Sequence, residues 1–238
     1  MLPQALREHR CQQDIMIKAL IFDFDGLILD TETPELLVWQ KVYREHGQEL
    51  TTRMWGQIVG GTAASSFEPA SHLAALTGNH LDTEALKARV REESLVQIHK
   101  QTPLPGVREL IDDARQHGLK LAVASSSPHD WVDGHLTRLG LLSSFDVIKA
   151  REDVPRTKPE PDLFIAALSG LDVHSDQAVV LEDSPNGVRA AKRAGLFVVA
   201  VPNPVTESLP FEGEDLRLSS LKELSLPELM RRADSSRG

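Results

Sequence analysis

The chain has 238 residues, a single cysteine and a formal charge of −9. Those counts exclude a disulfide scaffold, a zinc site built on several cysteines, and a basic surface for nucleic acid or anionic membrane. Hydrophobic residues are 41% and charged residues 26%, the balance of a soluble globular protein able to bury its own core, and Cys11 alone suits a reducing cytoplasm.

Residues 1–15 carry no apolar run of signal-peptide kind and read as an N-terminal extension ahead of Met16. Residues 17–22 are a short, nearly continuous apolar run, the pattern of a strand buried on both faces. Thr33-Pro34-Glu35 looks like a helix cap and first turn, followed by Leu36, Leu37, Trp39, Val42 and Tyr43. Shorter helical pieces fit residues 52–59 and 65–76, and residues 82–100 carry Leu86, Val90, Leu95 and Ile98 with charges on the other face. A linker with two prolines and a glycine, residues 101–106, then turns the chain back.

From there strands and helices alternate. Strands are predicted at 119–124, 145–148, 178–181 and 197–201. Helices are predicted at 105–117, 128–139, 161–168 and 185–194, each with a proline near its start. Such alternation implies an α/β fold: a Rossmann-like parallel sheet with helices on both faces. A βαβ unit needs about 30 residues, and the first two strands stand much farther apart. The surplus reads as an inserted, small α-helical domain at residues 33–101. The remaining residues, 16–32 and 102–238, make a discontinuous α/β core, in which residues 202–215 are expected to be a surface loop.

Three chemically loaded segments fall just past strand ends, the edge where open α/β sheets bind ligands. Phe22-Asp23-Phe24-Asp25-Gly26 ends the first strand with two carboxylates that alternation points the same way. Carboxylates so close suit a hard cation, or a nucleophile beside a general acid/base. Leu181-Glu182-Asp183-Ser184 adds a second acidic pair, and Ala124-Ser125-Ser126-Ser127 offers hydroxyl and N–H groups to an anion. Lys158, held before Pro159, could offset anionic charge. The Gly-rich fingerprint of a dinucleotide site is absent after the first strand, where Asp25-Gly26-Leu27-Ile28-Leu29-Asp30 stands instead.

Taken in order, Asp23-Phe24-Asp25-Gly26 with Asp30-Thr31-Glu32, then Ser125, Lys158-Pro159 and Glu182-Asp183-Ser184, the sequence resembles the haloacid dehalogenase-like hydrolases. The helical insert resembles the cap of the subgroup holding phosphoglycolate phosphatase-like and β-phosphoglucomutase-like proteins. The resemblance implies Mg²⁺-dependent hydrolysis of a small-molecule phosphate monoester through an aspartyl-phosphate. It implies Asp23 as nucleophile, Asp25 as acid and base, and Lys158 as the charge that orients Asp23. Ser125, Ser126, Gly26 and Lys158 would receive the phosphoryl group. The metal would lie among Asp23, the Asp25 carbonyl and Asp183, with Glu182 a ligand or one shell away. Glu35 stands where mutase-like members have a histidine, and residues 58–64 lack Lys and Arg. Both departures favour a hydrolase over a mutase. A monomer or weak homodimer is expected.

Overall fold

The computed structural model describes residues 17–56, 58 and 67–236. The expectations for residues 1–15 and for most of the loop at 58–64 lie outside them. Among the described residues, six strands form one parallel sheet in the order β3-β2-β1-β4-β5-β6. They are β1 (Ala19–Phe22), β2 (Lys120–Ala124), β3 (Val147–Lys149), β4 (Ala178–Glu182), β5 (Phe197–Ala200) and β6 (Leu216–Arg217). β1 lies at the centre, with Phe22 level with Val123 of β2 on one side and Leu181 of β4 on the other. Its loop therefore opens where the strand order changes direction, the expected place for a ligand.

The two-residue period of the strands sorts the core into two layers. Leu20 and Phe22 face α5 (Val107–Gln116), α6 (His129–Leu139) and α9 (Leu226–Ser235). Ala19 and Ile21 face α7 (Asp162–Leu171) and α8 (Pro185–Arg193). Phe22 is fully buried, and removing a side chain of that size from water contributes about 1.5–3 kcal/mol. The helices stop where the sequence lets them. Gly140 takes φ +68° after α6, and Ser184 accepts from the Gly187 N–H at the start of α8.

A third cluster joins α1 (Glu32–Glu45), α2 (Thr52–Trp55), α3 (Pro69–Leu76) and α4 (Thr83–Ile98). Tyr43 is buried at its centre, and its hydroxyl donates to the Pro69 carbonyl at 2.9 Å. Val205, from the chain after β5, reaches into this cluster as well.

Three details depart from the sequence reading. Helix α1 begins at Glu32, because the Asp30 carboxylate accepts from the Thr33 N–H and leaves Thr31 free for another partner. Residues 202–215 are not merely a surface loop: Asn203 and Thr206 are buried, and the segment leads into β6, which pairs with β5 through Val199 and Leu216. Helix α9, beyond the last predicted element, packs Leu226, Leu229 and Ala233 into the core.

Candidate active site

Each expected site residue reaches the carboxyl edge of the sheet. Asp23 follows β1, with its N–H bonded to the Leu181 carbonyl of the neighbouring strand. Lys158, between β3 and α7, is 2% exposed and reaches under this edge through a cis Lys158–Pro159 peptide. Its ammonium donates to Asp23 Oδ1 and, at 2.6 Å, to Glu182 Oε1. The other Glu182 oxygen accepts from the Ser184 N–H at 2.8 Å and the Ser184 hydroxyl at 3.0 Å. Glu182 thus ties Lys158 to the start of α8. Gly187 makes this possible, since a Cβ there would fall 1.7 Å from Glu182 Oε1.

Asp183, 1% exposed, is held from the chain after β5. Asn203 Nδ2 donates to Asp183 Oδ2 at 2.8 Å and to Glu32 Oε2 at 2.9 Å. Asn203 Oδ1 is fixed in turn by the N–H groups of Val205 and Thr206. Gly26 has φ +79°, and a Cβ on it would lie 2.3 Å from Asp183 Oδ2. Only glycine allows the turn after Asp25 to pass this close.

One oxygen each from Asp23, Glu182 and Asp183 lie within 4.8 Å of one another, all three residues being buried. Three carboxyls face one ammonium, so the charge is not balanced within the protein. Burial pushes the Asp23 carboxyl up to about 7, with Lys158 pulling it down and Glu182 and Asp25 pushing the same way as burial. Asp183 is raised well above its usual range by burial, then by Glu32, Glu182 and Asp23. Glu32 is raised by burial against the relief given by Asn203, with Asp25 and Asp23 adding to the rise. Burial opposes the charge on Lys158, but Asp23 and Glu182 outweigh it and its pKa rises. A buried, oxygen-only, over-acidic cluster fits a hard divalent cation.

Asp25 does not share these partners. Both aspartates line one cavity, but Asp23 turns to Lys158 while Asp25 turns to the loop after β2. Ser127 Oγ donates to Asp25 Oδ2 at 2.6 Å, and Thr31 Oγ1 and Trp131 Nε1 each donate to Oδ1 at 2.8 Å. Ser125 is 1% exposed and accepts from the Ser127 N–H. The Ser126 hydroxyl is buried without a hydrogen-bond partner, available to an incoming oxygen.

A cavity of about 960 Å³ opens above these groups, between the sheet edge and helices α1, α2 and α4. Glu35, Trp39, Trp55, Arg91 and Ser94 line its far side. The Glu35 carboxyl is pushed up to about 7, by desolvation first and then by Asp25. Sequence reasoning gave no role to Trp131 or Asn203, and it did not foresee that Thr31 and Ser127 would bond Asp25. Trp131 fell within the helix predicted at 128–139, and Asn203 within the loop expected at 202–215. The rule that placed Asp183 just past a strand end applies equally to Asn203 after β5.

The sequence model of the family described as haloacid dehalogenase-like hydrolase matches residues 20–201. "Putative phosphatase YhcW" of Bacillus subtilis (strain 168) is 44% identical over 215 residues, covering 90% of this chain and 97% of that protein. "Validoxylamine A 7'-phosphate phosphatase" of Streptomyces hygroscopicus subsp. limoneus is 31% identical, covering 90% and 99%. Among solved structures, CbbY from Rhodobacter sphaeroides in complex with phosphate superposes with a TM-score of 0.68 at 30% identity, covering 90% of this chain and 99% of that one. With the motif residues gathered at one sheet edge and a family match across most of its length, the chain belongs to the haloacid dehalogenase-like hydrolases.

Proposed function

We propose that this phosphatase removes the phosphoryl group from a small-molecule phosphate monoester of the sugar or polyol class. The observation that carries the reading is the buried Asp23–Lys158–Glu182 network beside Asp183. It offers a nucleophile and a fixed positive charge at one point of the sheet edge. The kinds of substrate named for the phosphatase relatives support the class.

In this reading Asp23 attacks phosphorus and becomes an aspartyl-phosphate. Lys158, held by Glu182, orients Asp23 and offsets charge on the phosphoryl oxygens. Ser125 and Ser126 hydrogen-bond those oxygens, and Gly26 lets the backbone approach them. Asp25 gives a proton to the leaving oxygen and later takes one from water. Asp23, Asp183 and the Asp25 carbonyl would hold Mg²⁺, whose charge lets an anionic nucleophile meet an anionic phosphate. Glu182 either joins them or acts one step back through Lys158 and Ser184, which its oxygens already hold.

Residues 33–101 act in this reading as a cap over a core of residues 16–32 and 102–238, with the leaving group lying in the cavity between them. The apolar cluster of α1–α4, which takes in only Val205 from residues 102–238, supports that division. A metabolite substrate and a lone cysteine fit a cytoplasmic enzyme working as a monomer or weak homodimer. The described helices include none long and apolar enough to cross a membrane.

The test is a panel of metabolite phosphates assayed for phosphate release with Mg²⁺ and with a chelator. Metal-dependent turnover of one or more sugar or polyol monophosphates is expected. No release from any ester, or release unaffected by the chelator, would sink the reading.

A further inference from the structure

The Asp25 carboxylate accepts from four side chains, and its two oxygens differ in the kind of donor they meet. Oδ2 takes the Ser127 hydroxyl at 2.6 Å and a longer contact from Ser125 at 3.4 Å. Both serines lie in the loop that the phosphatase reading gives to the phosphoryl group, so phosphoryl oxygens compete for their hydroxyls. Oδ1 takes the Thr31 hydroxyl and the Trp131 indole N–H, both at 2.8 Å. Neither donor belongs to that loop. An indole nitrogen only donates, so the oxygen facing it must stay an acceptor.

Trp131 is itself well anchored. It is half-buried on α6, and its ring meets that of His135, four residues on, edge to face at 4.4 Å between centroids. His135 packs against Phe24, the residue between the two aspartates, and accepts from Arg138 Nε at 3.3 Å. The indole N–H is therefore held in place from behind rather than by Asp25 alone.

We infer that Trp131 is a positioning residue for Asp25: with Thr31 it holds Oδ1 as a fixed acceptor, which leaves Oδ2 as the oxygen that moves the proton. The inference rests on the phosphatase reading. In the first step Asp23 bonds to phosphorus and the bond from phosphorus to the leaving oxygen breaks. Its electron pair stays on that oxygen, which takes the proton from Oδ2. In the second step water attacks phosphorus, Oδ2 takes a proton from the water, and the bond to Asp23 breaks with its electron pair returning to the carboxylate. Trp131 exchanges no proton in either step. Its effect is confined to how well Oδ2 is aimed, and that counts only where the leaving oxygen needs a proton.

The test is Trp131→Phe, which keeps the ring and removes the N–H. The value of kcat/KM, which reports events through the first bond cleavage, is measured for two substrates. One is 4-nitrophenyl phosphate, whose leaving group departs without a proton. The other is the alkyl monophosphate that the wild type uses best. The alkyl value should fall about tenfold and the aryl value less than twofold, with melting temperature nearly unchanged. Equal falls, or no fall for either substrate, would overturn the inference, because a merely structural role lowers both alike. Should Trp131→Phe not fold, Thr31→Val strips the other donor from Oδ1 and carries the same comparison. A wild type inactive on every ester would instead remove the phosphatase reading.

Discussion

On the sheet side of the cavity, Asp23, Lys158, Glu182 and Asp183 are each less than a tenth exposed, and each is tied to another side chain. On the helical side the terms differ. Trp55 Nε1 and Ser94 Oγ are buried with no hydrogen-bond partner, and Arg91 has no ion pair among the described residues. An unsatisfied buried polar group costs about 1–3 kcal/mol; the sheet side leaves Ser126 Oγ so, amid carboxylates that are all tied, while the helical side leaves two such groups beside the Arg91 charge. The floor is preorganised for one chemistry, and the roof is unfinished until something enters. Substitutions below should therefore change what happens, and substitutions above should change what is accepted.

The largest expected effect is on the floor. Asp23→Asn should lower kcat on the order of 10⁴-fold or more while circular dichroism stays that of the wild type. Substantial residual turnover would remove Asp23 as the nucleophile and break the contrast at its root. Lys158→Met leaves Asp23 and Glu182 buried without their counter-charge. A loss of about 3–5 kcal/mol in urea unfolding is expected, partly restored by Mg²⁺. A variant as stable as the wild type would show that the floor is not held together by these pairs.

A pH dependence sharpens the same comparison. Burial raises the carboxyls of Asp23, to about 7, and of Asp183 and Glu32. Between the ordinary carboxylate range and those raised values the folded chain binds more protons than the unfolded one, so stability falls as pH rises. The chelated protein should thus melt progressively lower from pH 5 to pH 8, by a few degrees in all, and Mg²⁺ should flatten the slope. A chelated protein with constant melting temperature would mean the cluster is not electrostatically strained. The smallest effect belongs to the roof: Arg91→Ala should raise KM about tenfold or less, at unchanged kcat. A fall in kcat instead would place Arg91 with the floor.

Much of the floor was legible because its residues sit in local patterns. Asp23 and Asp25 end an apolar run, Glu182 and Asp183 end another, and Lys158 precedes a proline. What escaped was decided by contacts between distant segments. Trp131 meets Asp25 across 106 residues of chain, and Asn203 meets Glu32 across 171. No spacing within either segment reports such a meeting. The two-residue β6 escaped for another reason: its pairing with β5 is set by what precedes it in space, and two residues carry no period. The start of α1 follows the same rule: Asp30 bonds the Thr33 N–H, and the Thr31 hydroxyl goes to Asp25, a partner from outside the helix.

The central place of β1 bears on how the chain is made. Ala19 pairs with Lys120 on one side and with Ala178 on the other. During synthesis β1 emerges first, yet its first neighbour arrives only after the whole helical segment, and its second later still. Until then its apolar edges are unpaired, the condition in which chains associate wrongly. Closing so long a loop is slow, although each doubling of its length adds only about 0.6 kcal/mol. Lengthening the helical segment should hence delay folding more than it weakens the folded protein, which makes the stretch between β1 and β2 a cheap place to exchange one set of helices for another.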